Sequence, residues 1–372
     1  MRPQVVEGVL RQGHKMMVVG PSKLGKSWNC IALAYACANG TEWMGHPCRA
    51  GEVCLVDGEM DPASFDNRCD RVARALWPDD DDEAIRMRGA NISVISLRGT
   101  YTGVDGLVDE LRAYYGDEPP MIVIIDPIYK LLVGDENSNS DMRDFQLGLD
   151  RIAAWRLGGD GDAPDVPGPS VAFSHHSAKG DVGARSVEDS GSGAGVFGRD
   201  PDAIVRMAPL DVPEESDMFS ALMAHYGSSD DPREAALAAK VVRTRFSLRE
   251  FASPDPVDMA FEFPLFVPVS GLEGAHEAGS VAAGRERGAI ANRVMADERW
   301  ATIDRLVAEA VDACGRKRVT PTRRSVYREL ERVCAEADVP CPSEGKFKNE
   351  TKPGGRSAWV ANRESPYELR MR

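Results

Sequence analysis

Up to Ser174 the chain alternates short, continuous apolar runs with longer stretches whose apolar residues recur every three or four positions. The runs Lys15–Val19, Glu52–Asp57, Ile92–Ile95, Met121–Asp126 and Ser170–Ser174 read as strands. Between them, Lys26–Ala38, Pro62–Leu76, Val104–Tyr115 and Asp141–Arg156 carry the helical period. Several of the strands are unbroken β-branched runs, as a parallel sheet covered on both faces requires. Strand and helix in alternation predict an α/β fold with a mainly parallel central sheet.

Beyond Ser174 the pattern changes. Residues 177–201 are dominated by Gly, Ser and Asp and read as a long loop. Ala203–Met207, Phe219–His225, Ala239–Thr244 and Met259–Phe263 follow without a clear intervening helix, which predicts antiparallel strands finishing the sheet. The small, polar segment 270–290 reads as a linker between a first domain, 1–269, and a C-terminal module, 291–372. In that module Ala291–Cys314 has helical spacing, and a second helix is expected to start at Thr320 with Pro321 in its first position.

Charge sharpens the division. The chain has 372 residues and a net charge of −14. Residues 285–372 hold 19 Lys and Arg against 14 Asp and Glu, a balance of +5, so the first 284 residues carry −19. An asymmetry of this kind points to a separate binding module. No run of about 18 apolar residues exists to span a membrane, and charges interrupt the N-terminus where a signal peptide needs its apolar stretch. A cytoplasmic protein is expected. The eight cysteines form no CxxC pair and read as isolated thiols rather than a zinc site.

The segment Gly20-Pro21-Ser22-Lys23-Leu24-Gly25-Lys26-Ser27 fits G-x-x-x-x-G-K-[ST] at every fixed position. Its glycines let backbone N–H groups turn toward phosphate oxygens, Lys26 brings a positive charge to the β- and γ-phosphates, and Ser27 is placed to ligate Mg²⁺. A strand runs into it and an apolar helix leaves it, adding the helix N-terminal dipole. ATP and Mg²⁺ are therefore the expected ligands. Asp126, closing an apolar strand, is the expected second Mg²⁺ residue.

Hydrolysis also needs a group that orients or deprotonates water. Pro127 occupies the position after Asp126, where many P-loop enzymes carry a glutamate. The C-terminal end of a neighbouring strand is the other place to look. Glu59, just past Glu52–Asp57, is the candidate there, with Asp57 second.

At these residues the chain resembles the RecA-like ATPases, and within them the plasmid and mobile-element RepA-type group of DnaB-like helicases. The resemblance covers roughly residues 5–265 and rests on GPSKLGKS, DGEMDP with Arg68 downstream, IIDPIYKLL, FSHHSAKG and GSGAGVFGRDPDAI. It implies a RecA-like core, and ATP hydrolysis by a ring, usually a hexamer, that acts on single-stranded DNA in its channel. It implies that His176 senses the γ-phosphate, although only one of His175 and His176 can face the nucleotide from one strand. A neighbouring subunit would supply an arginine to the transition state, and Arg199, Arg206, Arg243 and Arg245 are the candidates. Lys179 and Arg185 of the loop Ser177–Gly198 would meet DNA phosphates.

Past the shared core, Arg323, Arg324, Arg328 and Arg332 lie on one expected helix, and Lys346, Lys348, Lys352 and Arg356 precede Ser357-Ala-Trp-Val. Helix, helix and basic hairpin suggest a winged helix-turn-helix that binds duplex DNA. The functions consistent with all this are a replicative ring helicase of a plasmid, phage or integrated element, an ATPase that loads or regulates other DNA proteins without unwinding, or an ATP-switched replication initiator.

Overall fold

The computed structural model describes residues 2–99, 103–133, 139–155, 168–177, 200–353, 355–361 and 369–371. They fall into two compact units, Met1–Gly284 and Arg285–Arg372.

The first unit opens with a small hairpin, β1 (Gln4–Val6) with β2 (Leu10–Arg11), and continues into β3 (Lys15–Gly20) and α1 (Lys26–Asn39). A second small hairpin, β4 (Glu42–Trp43) with β5 (His46–Pro47), leads to β6 (Val53–Asp57), α2 (Pro62–Leu76), α3 (Asp82–Arg88) and β7 (Ile92–Ser96). Then come α4 (Gly103–Tyr115), β8 (Ile122–Asp126), a 3-10 turn over Ile128–Leu131, α5 (Asn139–Ala153) and β9 (Ser170–His176). The unit ends with β10 (Ala203–Asp211), α6 (Asp217–His225), α7 (Pro232–Ala238), β11 (Val241–Leu248), β12 (Val257–Glu262), β13 (Leu265–Pro268) and β14 (His276–Glu277).

The main sheet runs in the order β13, β12, β11, β10, β3, β9, β8, β6, β7, with β14 added to β10. From β10 to β7 every neighbouring pair is parallel. Every residue of β3, β6 and β8 is buried, which is why these strands are apolar without alternation. Met16, Val18, Leu55, Ile124 and Ala172 pack with α1 on one face. Met17, Val19, Val56, Ile125 and Phe173 pack with α4 and α5 on the other. Apolar burial on both faces, at about 25 cal/mol per Å², is what holds the layers together.

Two expectations fail after β9. Phe219–His225 is not a strand but lies in α6. Ser216 caps that helix by accepting from the N–H of Phe219 at 3.1 Å, and Phe219 and Leu222, one turn apart, are buried against Ala236 of α7. A cap and a three-residue spacing outweigh the β propensity of a short apolar run. Nor is the finish wholly antiparallel: β10 pairs parallel with β3, and only β11 to β14 run antiparallel to their neighbours.

The segment 270–290 is structured as well. It holds β14, whose Glu277 pairs in register with Leu210, and the start of α8 (Val281–Arg316).

The second unit contains α9 (Arg323–Glu336), α10 (Glu344–Glu350) and an antiparallel pair, β15 (Trp359–Ala361) with β16 (Leu369–Met371). Trp300, Ile303 and Val307 of α8 form its core with Val326, Leu330 and Phe347. Helix α9 begins later than the Thr320 expected from sequence. Thr322 is its cap, accepting from the N–H of Ser325, while the Pro321 carbonyl accepts from the N–H of Leu369 at 2.9 Å and so belongs to the strand contact.

Candidate active site

Strand β3 ends at Gly20, and α1 begins at Lys26, with Ser27 its second residue. Between them Pro21 is half-buried, Ser22 and Lys23 exposed and Leu24 buried, and Ser27 beyond them is half-buried. Gly25 has φ 106°, and a Cβ there would lie 3.0 Å from the Phe266 ring. Only glycine meets both conditions. The hairpin of β12 and β13 lies against this turn, with Phe261 and Phe266 4.9 Å apart and Phe263 4.8 Å from Trp28.

Lys26 is buried. Its Nζ donates to the carbonyls of Gly20 at 2.8 Å and Pro21 at 2.9 Å. Burial pushes its pKa down to about 8, against the opposing pull of Asp126 and Glu59. The ammonium is thus held inside the loop by two of the loop's own carbonyls.

Strand parity gathers the other groups. In β6, β8 and β9 the residues on the α1 face are Leu55, Ile124 and Ala172, so Asp57, Asp126, Ser174 and His176 share that face at the C-terminal strand ends. The Ser174 hydroxyl donates to Asp126, and both are buried. His176 pairs in register with Gly20, and its Nδ1 lies 3.2 Å from Ser22 Oγ and 3.3 Å from Lys26 Nζ. His175, one residue earlier, is directed to the opposite face and is buried.

Asp57 and Glu59 divide their roles by geometry. Asp57 accepts from the N–H groups of Met60 at 2.9 Å and Glu59 at 3.4 Å, closing the turn after β6. Burial raises its pKa against these bonds. Glu59 is exposed at the tip of that turn, where it accepts from the Tyr129 hydroxyl. The turn fits only because residue 58 is glycine: a Cβ there would stand 2.8 Å from Lys130 Cγ.

Ser174 and Tyr129 are site groups that the sequence reading did not identify. Ser174 could have been found, because it lies two residues before His176 on the same strand face. Tyr129 had no such signal, since its reach to Glu59 depends on the turn after Asp126.

The four arginines differ sharply. Arg206 is buried and donates to Glu277 at 2.9 and 2.6 Å. Arg243 is buried, donating to Asp258 at 2.7 Å through both Nε and Nη2 and to the carbonyls of Leu272 and Ala275. Both are held by partners within their own chain. Arg245 also donates to Glu277, but its side chain keeps 34% exposure. Arg199 lies outside the described residues, as do Lys179 and Arg185. Arg68 places its guanidinium 4.9 Å from the Trp28 ring centroid, at the start of α1.

These residues fit Mg²⁺-ATP. The helix N-terminus and Lys26 suit the phosphates, and Ser27 with Asp126 supplies hard oxygen ligands of the kind Mg²⁺ takes. Among the described residues no helix is long and apolar enough to cross a membrane.

No curated protein matches the chain. Among solved structures, the flagellar accessory protein FlaH from Methanocaldococcus jannaschii superposes with a TM-score of 0.43 at 10% identity, over 70% of this chain and 91% of FlaH. The ATPase domain of G40P superposes with a TM-score of 0.43 at 14% identity, over 69% of this chain and 84% of that domain. Residues 1–159 match the family model described as an AAA domain, and this match, with the loop geometry, supports a P-loop ATPase.

Proposed function

We propose that the chain is an ATP-driven DNA motor that works as a ring and acts in the replication of a plasmid, phage or integrated element. The observation that carries the ATPase part is the meeting of Lys26 of the loop with His176, beside Asp126 on the same sheet face and Glu59 on the adjoining turn, at the C-terminal strand ends. The DNA part rests on the sequence resemblance and on the basic balance of residues 285–372.

In this reading the loop N–H groups and Lys26 bind the β- and γ-phosphates. Ser27 and Asp126 would hold Mg²⁺, which when bound would supply positive charge to the phosphate oxygens. Glu59 takes a proton from water as the water oxygen bonds to the γ-phosphorus and the bond to the β–γ bridging oxygen breaks. The γ-phosphoryl leaves as phosphate and the bridging oxygen stays on ADP. His176, bonded to Ser22 and Lys26, registers whether the γ-phosphate is present. A neighbouring subunit adds an arginine, for which Arg199 and Arg245 are our candidates. The arginine-bearing α9 and the lysines around α10 make the second unit a duplex-DNA module.

The test is ATP turnover with and without single-stranded DNA, beside mass by light scattering and a strand-displacement assay. DNA-stimulated hydrolysis, a multimer and displaced strand support the motor. Stimulated hydrolysis without displacement favours a loader, and absence of stimulation favours an ATP switch.

A further inference from the structure

Tyr129 belongs to a chain of contacts that joins the two ends of the site. Its hydroxyl donates to Oε1 of Glu59. Its ring lies 5.8 Å from the His176 ring, tilted by 39°, and Lys130 Nζ lies 5.2 Å from its centroid. His176 in turn contacts Ser22 and Lys26.

Glu59 stands on an exposed turn, and a carboxylate there samples many rotamers unless something holds it. Asp57 fixes only the backbone of that turn, through the N–H groups of residues 59 and 60. Tyr129 comes from a different element, the 3-10 turn directly after β8. Its position is set by Ile128 and Leu131, both buried.

We propose that Tyr129 is a positioning residue for hydrolysis: its hydroxyl holds Oε1 of Glu59, which fixes the carboxylate and leaves Oε2 to accept the proton of the attacking water. Burial, and then the bond to Glu59, push the Tyr129 pKa up to about 12, so the hydroxyl remains a donor at neutral pH. Because the turn carrying Tyr129 starts beside Asp126, the base is aligned against the same strand end that serves the metal. The inference rests on Glu59 being the base.

The experiment is steady-state hydrolysis by the full chain with Tyr129→Phe, Glu59→Gln and the double variant, together with binding of a non-hydrolysable ATP analogue. Phenylalanine keeps the ring and its packing and removes only the donor. The expected result is a kcat about tenfold lower for Tyr129→Phe, the scale of a lost bond to a charged group, with KM and analogue affinity unchanged. In the Glu59→Gln background the same substitution should change kcat less than about twofold, since residues acting as one unit are not additive. Wild-type kcat in Tyr129→Phe, or an equal tenfold loss in both backgrounds, overturns the proposal. Wild-type turnover by Glu59→Gln overturns the assignment of the base itself, and the positioning role with it.

Discussion

The Lys26 ammonium lies 3.3 Å from Nδ1 of His176, although the two residues are 150 positions apart in the chain. Parallel pairing of β3 with β9 brings them together, because Gly20 and His176 are in register. The proposed phosphate lysine and the proposed sensor histidine are therefore in contact across two strands.

The depressed pKa of Lys26 makes nucleotide affinity pH-dependent. Only the ammonium form brings charge to the phosphates, and burial pushes its pKa down to about 8. Affinity for ATP should be flat below that value and fall toward about tenfold per pH unit above it, because binding then requires proton uptake. Lys26→Arg stays charged throughout and should show a flat profile. Titration with a fluorescent ATP analogue from neutral to alkaline pH measures this. The same shift means that the folded protein binds fewer protons than the unfolded chain between about 8 and 10.5. Its stability contribution should therefore rise with pH across that window.

Glu59→Gln should bind ATP normally and hydrolyse it about 10² times more slowly, the scale of losing a general base. Asp57→Ala should instead lower thermal stability, because it removes the oxygens that accept the N–H groups of Glu59 and Met60 and close the turn. Turnover and melting temperature, measured on both variants, separate the two roles. The reverse pattern would move the base to Asp57.

Glu277 is buried between Arg206 and Arg245. Burial opposes its charge, and the Arg206 bonds, with the nearby Arg245, more than offset this and hold its pKa below the usual range. Its stabilisation is present above the unfolded carboxylate pKa and is lost as pH falls through the lower folded value. Glu277→Gln leaves two guanidinium groups poorly compensated and should destabilise the first unit by about 3 kcal/mol. Urea unfolding at neutral pH, where the effect should exceed that at acid pH, measures it.

Arg245 and Arg199 are tested by mixing. Arg245→Ala or Arg199→Ala should retain ATP binding but lose hydrolysis. Whichever is the trans arginine should regain activity when mixed with Lys26→Ala protein, because intact halves meet at the subunit boundary. No recovery for either, with a monomer by light scattering, rules out a shared site.

A fragment spanning 285–372 has its own apolar core and should bind duplex DNA with an affinity that falls as salt rises. Fluorescence anisotropy over a salt series checks this. Absence of binding at low salt points to a protein partner.

The phosphate loop was legible in the sequence because its chemistry is local: Gly20, Gly25, Lys26 and Ser27 act through backbone shape and residues within one turn. Asp126 and His176 were legible as strand ends, since period-two geometry fixes which face each side chain takes. Unbroken apolar runs likewise determined a buried parallel sheet. Tertiary structure alone decided what those ends meet. It set β9 between β3 and β8, so that Ser174 reaches Asp126, and it brought the turn after β8 beneath Glu59, so that Tyr129 bonds to it. It also divided the arginines, which look alike in sequence, by the partners around them: Arg206 and Arg243 are buried in ion pairs, while Arg245 keeps an exposed edge. In α6 the Ser216 cap is a local signal against the short apolar run, and packing of Phe219 and Leu222 on Ala236 of α7 is the tertiary contribution that no propensity contains.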